Sequence, residues 1–201
     1  MLHFLSDETL NSTEDLHNEF LKDSFKFRIM ELRIASNLMK SNLDEVEKEC
    51  LRLVKEYKED KYPKFISSFY SMLSERFLFE DYETAMYYNA HAFRIIRNSF
   101  GDSEYNKTQL ENTHDTIKIY HGDYDKLFLT GKAEKAYYFA KIGEKNKALK
   151  ELNEIGTDET LSPFQLYYKG LALNSIELIN RSKHEFMSSG NLHYLKLVEN
   201  L

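Results

Sequence analysis

Residues 131–155 read GKAEKAYYFAKIGEKNKALKELNEI, and this stretch decides the fold. Two short amphipathic segments meet across Gly143, and each carries one alanine where the helices would cross, Ala136 in the first and Ala148 in the second. Small residues at a crossing let two helix backbones approach to about 8–10 Å, while Tyr138, Phe139, Ile142, Leu149 and Leu152 fill the flanks. This is the helix-turn-helix unit of a tetratricopeptide repeat.

The same signature recurs on both sides. Upstream, FEDYETAMYYNAHAF turns at Asp81-Tyr82 and then sets Ala85 and Ala92 seven residues apart on the packing face of a second helix. Downstream, Gly170 follows Ala136 by 34 residues, the period of this repeat. Ser162-Pro163-Phe164-Gln165 opens a helix, with Ser as cap, Pro at the first helical position and Gln three after the cap. The spacing predicts an all-α fold, a tetratricopeptide-like right-handed superhelical solenoid of helix pairs, whose first helices line a concave trough.

Working outward, the first pair starts at Ser24, with a stripe of Ile29, Leu32 or Arg33, Ser36 and Met39 and a break at Ser41–Asn42. Asn42 is placed to cap the next helix with Glu45 at its third position, followed by Val46, Cys50, Leu53 and Tyr57. Lys64–Phe79 and Asp81–Phe100 make the second pair. In the third region a helix capped by Asp102 or Ser103 runs to Tyr120, and HGDYDKLFL supplies a turn and a short second helix. A fifth pair follows the opening one, with a break near Ile179–Asn180 before the helix SKHEFMSSG. Residues 1–23 read as an acidic N-terminal segment with one short helix begun at Ser12, and 24–201 as the repeat domain. The apolar run Leu192, Tyr194, Leu195, Leu197 and Val198 is read as a cap helix, with docking on a partner or a second copy as the alternative.

Composition narrows the function classes. Of 201 residues, 42% are apolar and 30% charged, with 7 Gly and 2 Pro, which suits a globular helical chain and not a turn-rich β fold. The net charge is −6, so the basic excess that releases counterions from duplex DNA is missing, and no nucleic-acid binding is expected of this chain alone. Arg94 with Arg97, and Lys135, Lys141, Lys145, Lys147 and Lys150, are local basic patches. The lysines alternate with Glu134, Glu144 and Glu151, as on a solvated helix face. Cys50 is the single cysteine and reads as a small buried thiol. MLHFL is too short for a signal-peptide core, and no apolar run approaches the ~20 residues of a membrane span. The expectation is a cytoplasmic protein with no membrane contact, in which the sequons at Asn11, Asn106 and Asn180 carry no weight.

Catalytic and metal signatures are missing. No glycine-rich phosphate loop, serine elbow or paired-histidine zinc helix occurs. His114 and His121 stand seven apart near Asp123, but two helical turns span about 10 Å, too far for one ion. Asp123-Tyr124-Asp125 opens like a calcium loop, yet Leu127 replaces a ligand and Phe128 the required glycine. No enzyme, cofactor or metal is expected. What remains is a binding surface. Tyr70, Tyr137 and Tyr167 lie on first helices and are expected to face the trough, where with Arg28, Glu134, Lys141 and Asn174 they would grip an extended short peptide. A solvated trough with no ligand, and a scaffold that binds a protein partner, are the other readings of the same residues.

AEKAYYFAKIGEKNKALKELNEI, followed by FQLYYKGLALNSIELINRSKHEFMSSGNLHYLKL, resembles the C-terminal repeats of the arbitrium peptide receptors (AimR-type) of temperate Bacillus phages. LFEDYETAMYYNAHAF is similar too, so the resemblance covers roughly Ser24–Lys196. It implies an intracellular receptor for a short secreted communication peptide, acting on phage lysis-lysogeny. Family members join an N-terminal helix-turn-helix DNA-binding domain to the solenoid, and the peptide alters the dimer's hold on its operator. Two departures are expected here: no DNA-binding domain precedes residue 24, and the C-terminal dimerisation helix is short. Glu134 alone falls where the family uses a carboxylate to hold a basic peptide residue.

Overall fold

The computed structural model describes residues 19–99 and 104–199, which contain ten α-helices and no strand. In chain order they are α1 (Glu19–Met39), α2 (Leu43–Glu56), α3 (Pro63–Phe77), α4 (Tyr82–Asn98), α5 (Glu104–Tyr120), α6 (Lys132–Lys141), α7 (Lys145–Ile155), α8 (Pro163–Leu173), α9 (Ile176–Ser188) and α10 (Lys196–Glu199). The helix expected at Ser12 and the caps expected at Asp102 or Ser103 lie outside the described residues.

Antiparallel pairs α1/α2, α3/α4, α6/α7 and α8/α9 stack side by side, and the first helices α1, α3, α5, α6 and α8 touch in succession. This is the expected solenoid, and the small residues explain its tightness. Ala85, Ala92, Ala136 and Ala148 are fully buried. On α3, Ser67 and Ser74 stand one seven-residue step apart, and their hydroxyls donate to the carbonyls of Ala92 (3.1 Å) and Ala85 (2.9 Å). A hydroxyl reaches a neighbouring helix's carbonyl only where neither side chain holds the backbones apart. A Cβ on Gly170 would stand 2.6 Å from Ile179 Cγ1 and 3.2 Å from its backbone nitrogen, so α8 and α9 cross at van der Waals contact. Gly143 turns the fourth pair at φ +81°, a conformation that costs glycine nothing.

Several local expectations need correction. Helix α1 begins at Glu19 and runs through position 24 unbroken. Its buried stripe is Phe27, Met30, Ile34 and Leu38, so Leu32 and Met39 face outward. Phe27 sets this phase because it nests among Tyr57, Tyr62, Phe65 and Phe69. Asn42 stands at the start of α2 but makes no side-chain cap hydrogen bond. The fifth pair breaks at Asn174–Ser175, with Asn174 left-handed at φ +51° and Ser175 capping α9, which runs straight through Ile179–Asn180.

Two larger differences shape the molecule. Residues 121–131 contain no helix, so α5 lacks a partner helix. This linker is held by Asp115, whose buried carboxylate accepts from the backbone N–H groups of Phe128 (3.0 Å) and Leu129 (2.6 Å), while Glu111 accepts from Thr130 (2.8 Å). The run after α9 is no stacked cap helix either. Residues 191–195 form an irregular strap, ending in the single turn of α10, that reaches the first two pairs. Both Leu192 N–H (2.7 Å) and His193 N–H (3.2 Å) donate to the carbonyl of Met39. His193 Nε2–H donates to the Glu75 carbonyl (2.8 Å), Tyr194 donates its hydroxyl to the Glu75 carboxylate, and Lys196 meets Glu80 at 2.6 Å. The trough is therefore floored at one end by the chain's own side chains rather than open throughout.

Candidate functional site

The inner face of the first helices carries two adjoining cavities that share Gln109. One, of about 420 Å³, lies between α1, α3 and α5 beside Arg28, Glu31, Lys64 and a row of serines, Ser67, Ser68 and Ser71. The other, of about 290 Å³, lies between α3, α5, α6, α8 and the strap. Ligand pockets span about 300–1,000 Å³, so the first lies inside that range and the second at its lower edge. The α5 wall of the smaller one is a polar stripe at helical spacing, Gln109, Asn112, Thr113 and Thr116.

The smaller cavity is acidic, with two carboxylates and no cation in its described lining. Glu75 enters from α3 and Glu134 from α6, with Tyr168, Gln165 and Phe164 from α8 and Tyr194 from the strap. Enclosure pushes the Glu75 carboxyl above its ordinary value, partly offset by the Tyr194 hydroxyl. Glu134 is pushed up by the same cause and by the negative charge of Asp115, against the pull of its own backbone N–H. Among the described residues neither carboxylate meets a cation, and the buried Oδ1 of Asn112 has no hydrogen-bond partner. Gly131 makes this arrangement possible. A Cβ there would fall 2.0 Å from Glu134 Oε2 and 2.8 Å from Asn112 Oδ1. The Glu134 carboxylate and the Asn112 side-chain amide thus converge on a glycine at the start of α6, within reach of one another. Burying a carboxylate without a cation is costly, so the site favours a ligand that brings positive charge. At the other end, Arg28 bonds Glu31 at 3.2 Å, and Lys64 adds a second cation.

Of the residues singled out from sequence, Arg28 and Glu134 line this surface, in different cavities. Tyr137 does not project into the trough. It is fully buried, stacked on Tyr168 at 4.4 Å, because α6 is wrapped by α5, α7 and α8. Tyr167 is 3% exposed, and burial pushes its hydroxyl up to about 12. Tyr70 stacks on Tyr88 and His91 at the α3–α4 contact. Lys141 is exposed at the end of α6, and Asn174 turns the chain after α8. Sequence reasoning missed Glu75, Gln109, Asn112, Tyr168 and Tyr194. The polar stripe on α5 was open to detection by its 3–4-residue spacing. Glu75 and Tyr194 were not, since their meeting depends on the strap.

His114 and His121 serve separate structural contacts, with Asp115 at 3.0 Å and the Leu78 carbonyl at 2.7 Å. Asp123 clasps Lys118 at 2.7 Å and the Tyr82 hydroxyl at 2.5 Å, and these contacts hold its carboxyl well below the usual range. Among the described residues no group of three or more His, Cys, Asp or Glu side chains is placed to hold a metal ion. None of their helices is long and apolar enough to cross a membrane.

Comparison with known proteins places this geometry in a family. Residues 1–200 match the family described as AimR transcriptional regulator-like. The uncharacterized protein pXO2-35 of Bacillus anthracis is 28% identical over 188 residues, 91% of this chain and 69% of that protein. The ligand-bound structure of phAimR superposes with a TM-score of 0.77 at 19% identity, covering 93% of this chain and 56% of its own. Selenomethionine phAimR gives 0.72 at 19% identity, over 92% and 49%. At such identity the superpositions establish the fold, and this chain spans about half the length of those solved structures. With nearly every residue inside the family match and the same helical stack underneath, the chain belongs to the AimR transcriptional regulator-like family.

Proposed function

We propose that this chain is the receptor portion of an arbitrium-type regulator, acting in the cytoplasm. It binds a short communication peptide along its trough and thereby bears on phage lysis-lysogeny. The observation that carries the reading is the enclosed cavity in which Glu134 and Glu75 meet no cation. A guanidinium or ammonium group supplies several N–H donors and a positive charge, which suits two carboxylates without a cation. Arg28 and Lys64 at the other end suit a carboxylate, so the trough fits a peptide with a basic side chain and a free C-terminus. The family match, and a structure of phAimR with a ligand on the same fold, support a ligand-binding role. The role is recognition and not catalysis.

The test is a melting curve of the purified protein with synthetic hexapeptides, with and without a central arginine. At one hundred times its dissociation constant a ligand stabilises by about 2.7 kcal/mol, a rise of about 5–10 °C for a chain this long. The arginine peptide raises the melting temperature and its citrulline counterpart does not. No shift with any basic peptide refutes the proposal.

A further inference from the structure

The row of second helices is interrupted. Helices α2, α4, α7 and α9 each pair with a first helix, but beside α5 only the linker 121–131 runs. On that side a cleft of about 790 Å³ opens between α4, α5 and Phe128. Along α4 its wall is Met86, Ala90, Phe93 and Arg97, spaced four, three and four apart, which is one face of a helix. From α5, Lys107 and His114 stand two turns apart on the opposite wall. Phe128 is 49% exposed and spans the cleft, with its ring 5.8 Å from Phe93 and 4.8 Å from His114.

The cleft differs in charge from the rest of the molecule. Its described lining holds Arg94, Arg97 and Lys107 and no carboxylate, on a chain of net charge −6. Arg94 is bridged to Glu59 and Lys107 lies 3.8 Å from Glu111, whereas Arg97 has no ion pair among the described residues. An apolar floor with a basic rim, between two helical stripes, is the form of a groove that receives a helix.

We propose that this cleft is a docking site for an amphipathic helix of a partner protein, apolar on one face and acidic on its flanks. The apolar face would seat on Met86, Ala90, Phe93 and Phe128, and the acidic flank would meet Arg97 and Lys107. Such a helix stands where the neighbouring pairs carry a second helix of their own, so the linker leaves a place another molecule completes. This inference does not rest on the peptide reading, because the cleft and the trough share a single lining residue, the buried Ile96.

The experiment measures fluorescence anisotropy of a labelled Leu/Glu amphipathic helix of about four turns, with a Leu/Lys helix of equal length as control. The whole chain is titrated as wild type, Arg97→Glu and Phe128→Ser. Both positions are exposed, so the variants retain the fold, which melting curves verify. Saturable binding of the Leu/Glu helix alone, weakened about tenfold or more by either variant and by raised salt, supports the site. Absence of saturable binding, equal binding of both helices, or indifference to the two substitutions overturns it. Self-association in sedimentation that Phe128→Ser abolishes assigns the cleft to a second copy and overturns it as well.

Discussion

Asp115→Ala puts the architecture of the interrupted pair to a quantitative test. The Asp115 side chain is fully buried, accepts two linker N–H groups at 3.0 and 2.6 Å, and lies 3.0 Å from His114 Nδ1. Hydrogen bonds to a charged group are worth about 1.5–3 kcal/mol each, an upper range of about 3–6 kcal/mol for the pair. The linker is largely exposed, however, so the freed N–H groups of Phe128 and Leu129 reach water and recover part of that. The expected loss is about 2–3 kcal/mol. Asp115→Asn retains one acceptor and loses about half as much. Leu129 adds sensitivity, since its φ of +50° is unfavourable for a branched side chain and persists only while the carboxylate holds it. Urea titration gives the energy from the shifted midpoint at unchanged slope. Amide exchange at Phe128 and Leu129 reports the cause directly. A loss below about 0.5 kcal/mol, or unchanged protection of these two amides, refutes the reasoning.

Four further outcomes follow from the same geometry. Glu134→Gln leaves the unliganded fold as stable as wild type or slightly more so, because a carboxylate without a cation is relieved, yet weakens an arginine peptide by about 2–5 kcal/mol; titration calorimetry with melting curves checks both. His193 is buried, and desolvation lowers its pKa from 6.5 to about 4. The unfolded chain therefore binds the extra proton first, so His193 costs no stability above pH 6.5 and up to roughly 3 kcal/mol is lost as pH falls toward 4. The raised carboxyls of Glu75 and Glu134 oppose this slope, as their neutral forms are favoured in the fold; comparing the pH dependence of unfolding in wild type and His193→Asn isolates the histidine. Ser67→Ala and Ser74→Ala each cost about 0.5–1.5 kcal/mol in urea titration through loss of one buried hydrogen bond. Gly170→Ala costs about 1–3 kcal/mol despite its better helix propensity, since its Cβ meets Ile179, and calorimetry reads the lowered melting temperature.

The pairs were legible because their crossing residues are local. Ala85, Ala92, Ala136, Ala148 and Gly170 announce close helix approach from composition alone, and all sit buried at helix contacts. The phase of α1 was not legible, because Leu32 and Ile34 are equally apolar and only the aromatic nest around Phe27 selects between them. The linker misled for a related reason. KLFL has helical composition, yet Asp115 draws its backbone N–H groups away from any helix ladder. For the trough, Arg28 and Glu134, expected there from their positions on first helices, each line one of its two cavities. Tyr137 and Tyr167 were misplaced, because α6 and α8 bury more than one face and an aromatic at any angle there finds packing.

Repeat stacks ordinarily behave as one-dimensional arrays, in which terminal units fray and unfolding spreads from an end. His193 and Glu75, 118 residues apart, remove that freedom by fastening the last unit to the early ones. No unit is then terminal, so hydrogen exchange across the five units converges on a single opening energy instead of grading toward the extremities. The same long-range closure raises the contact order, so refolding is slower than an untied helical array of this length would allow.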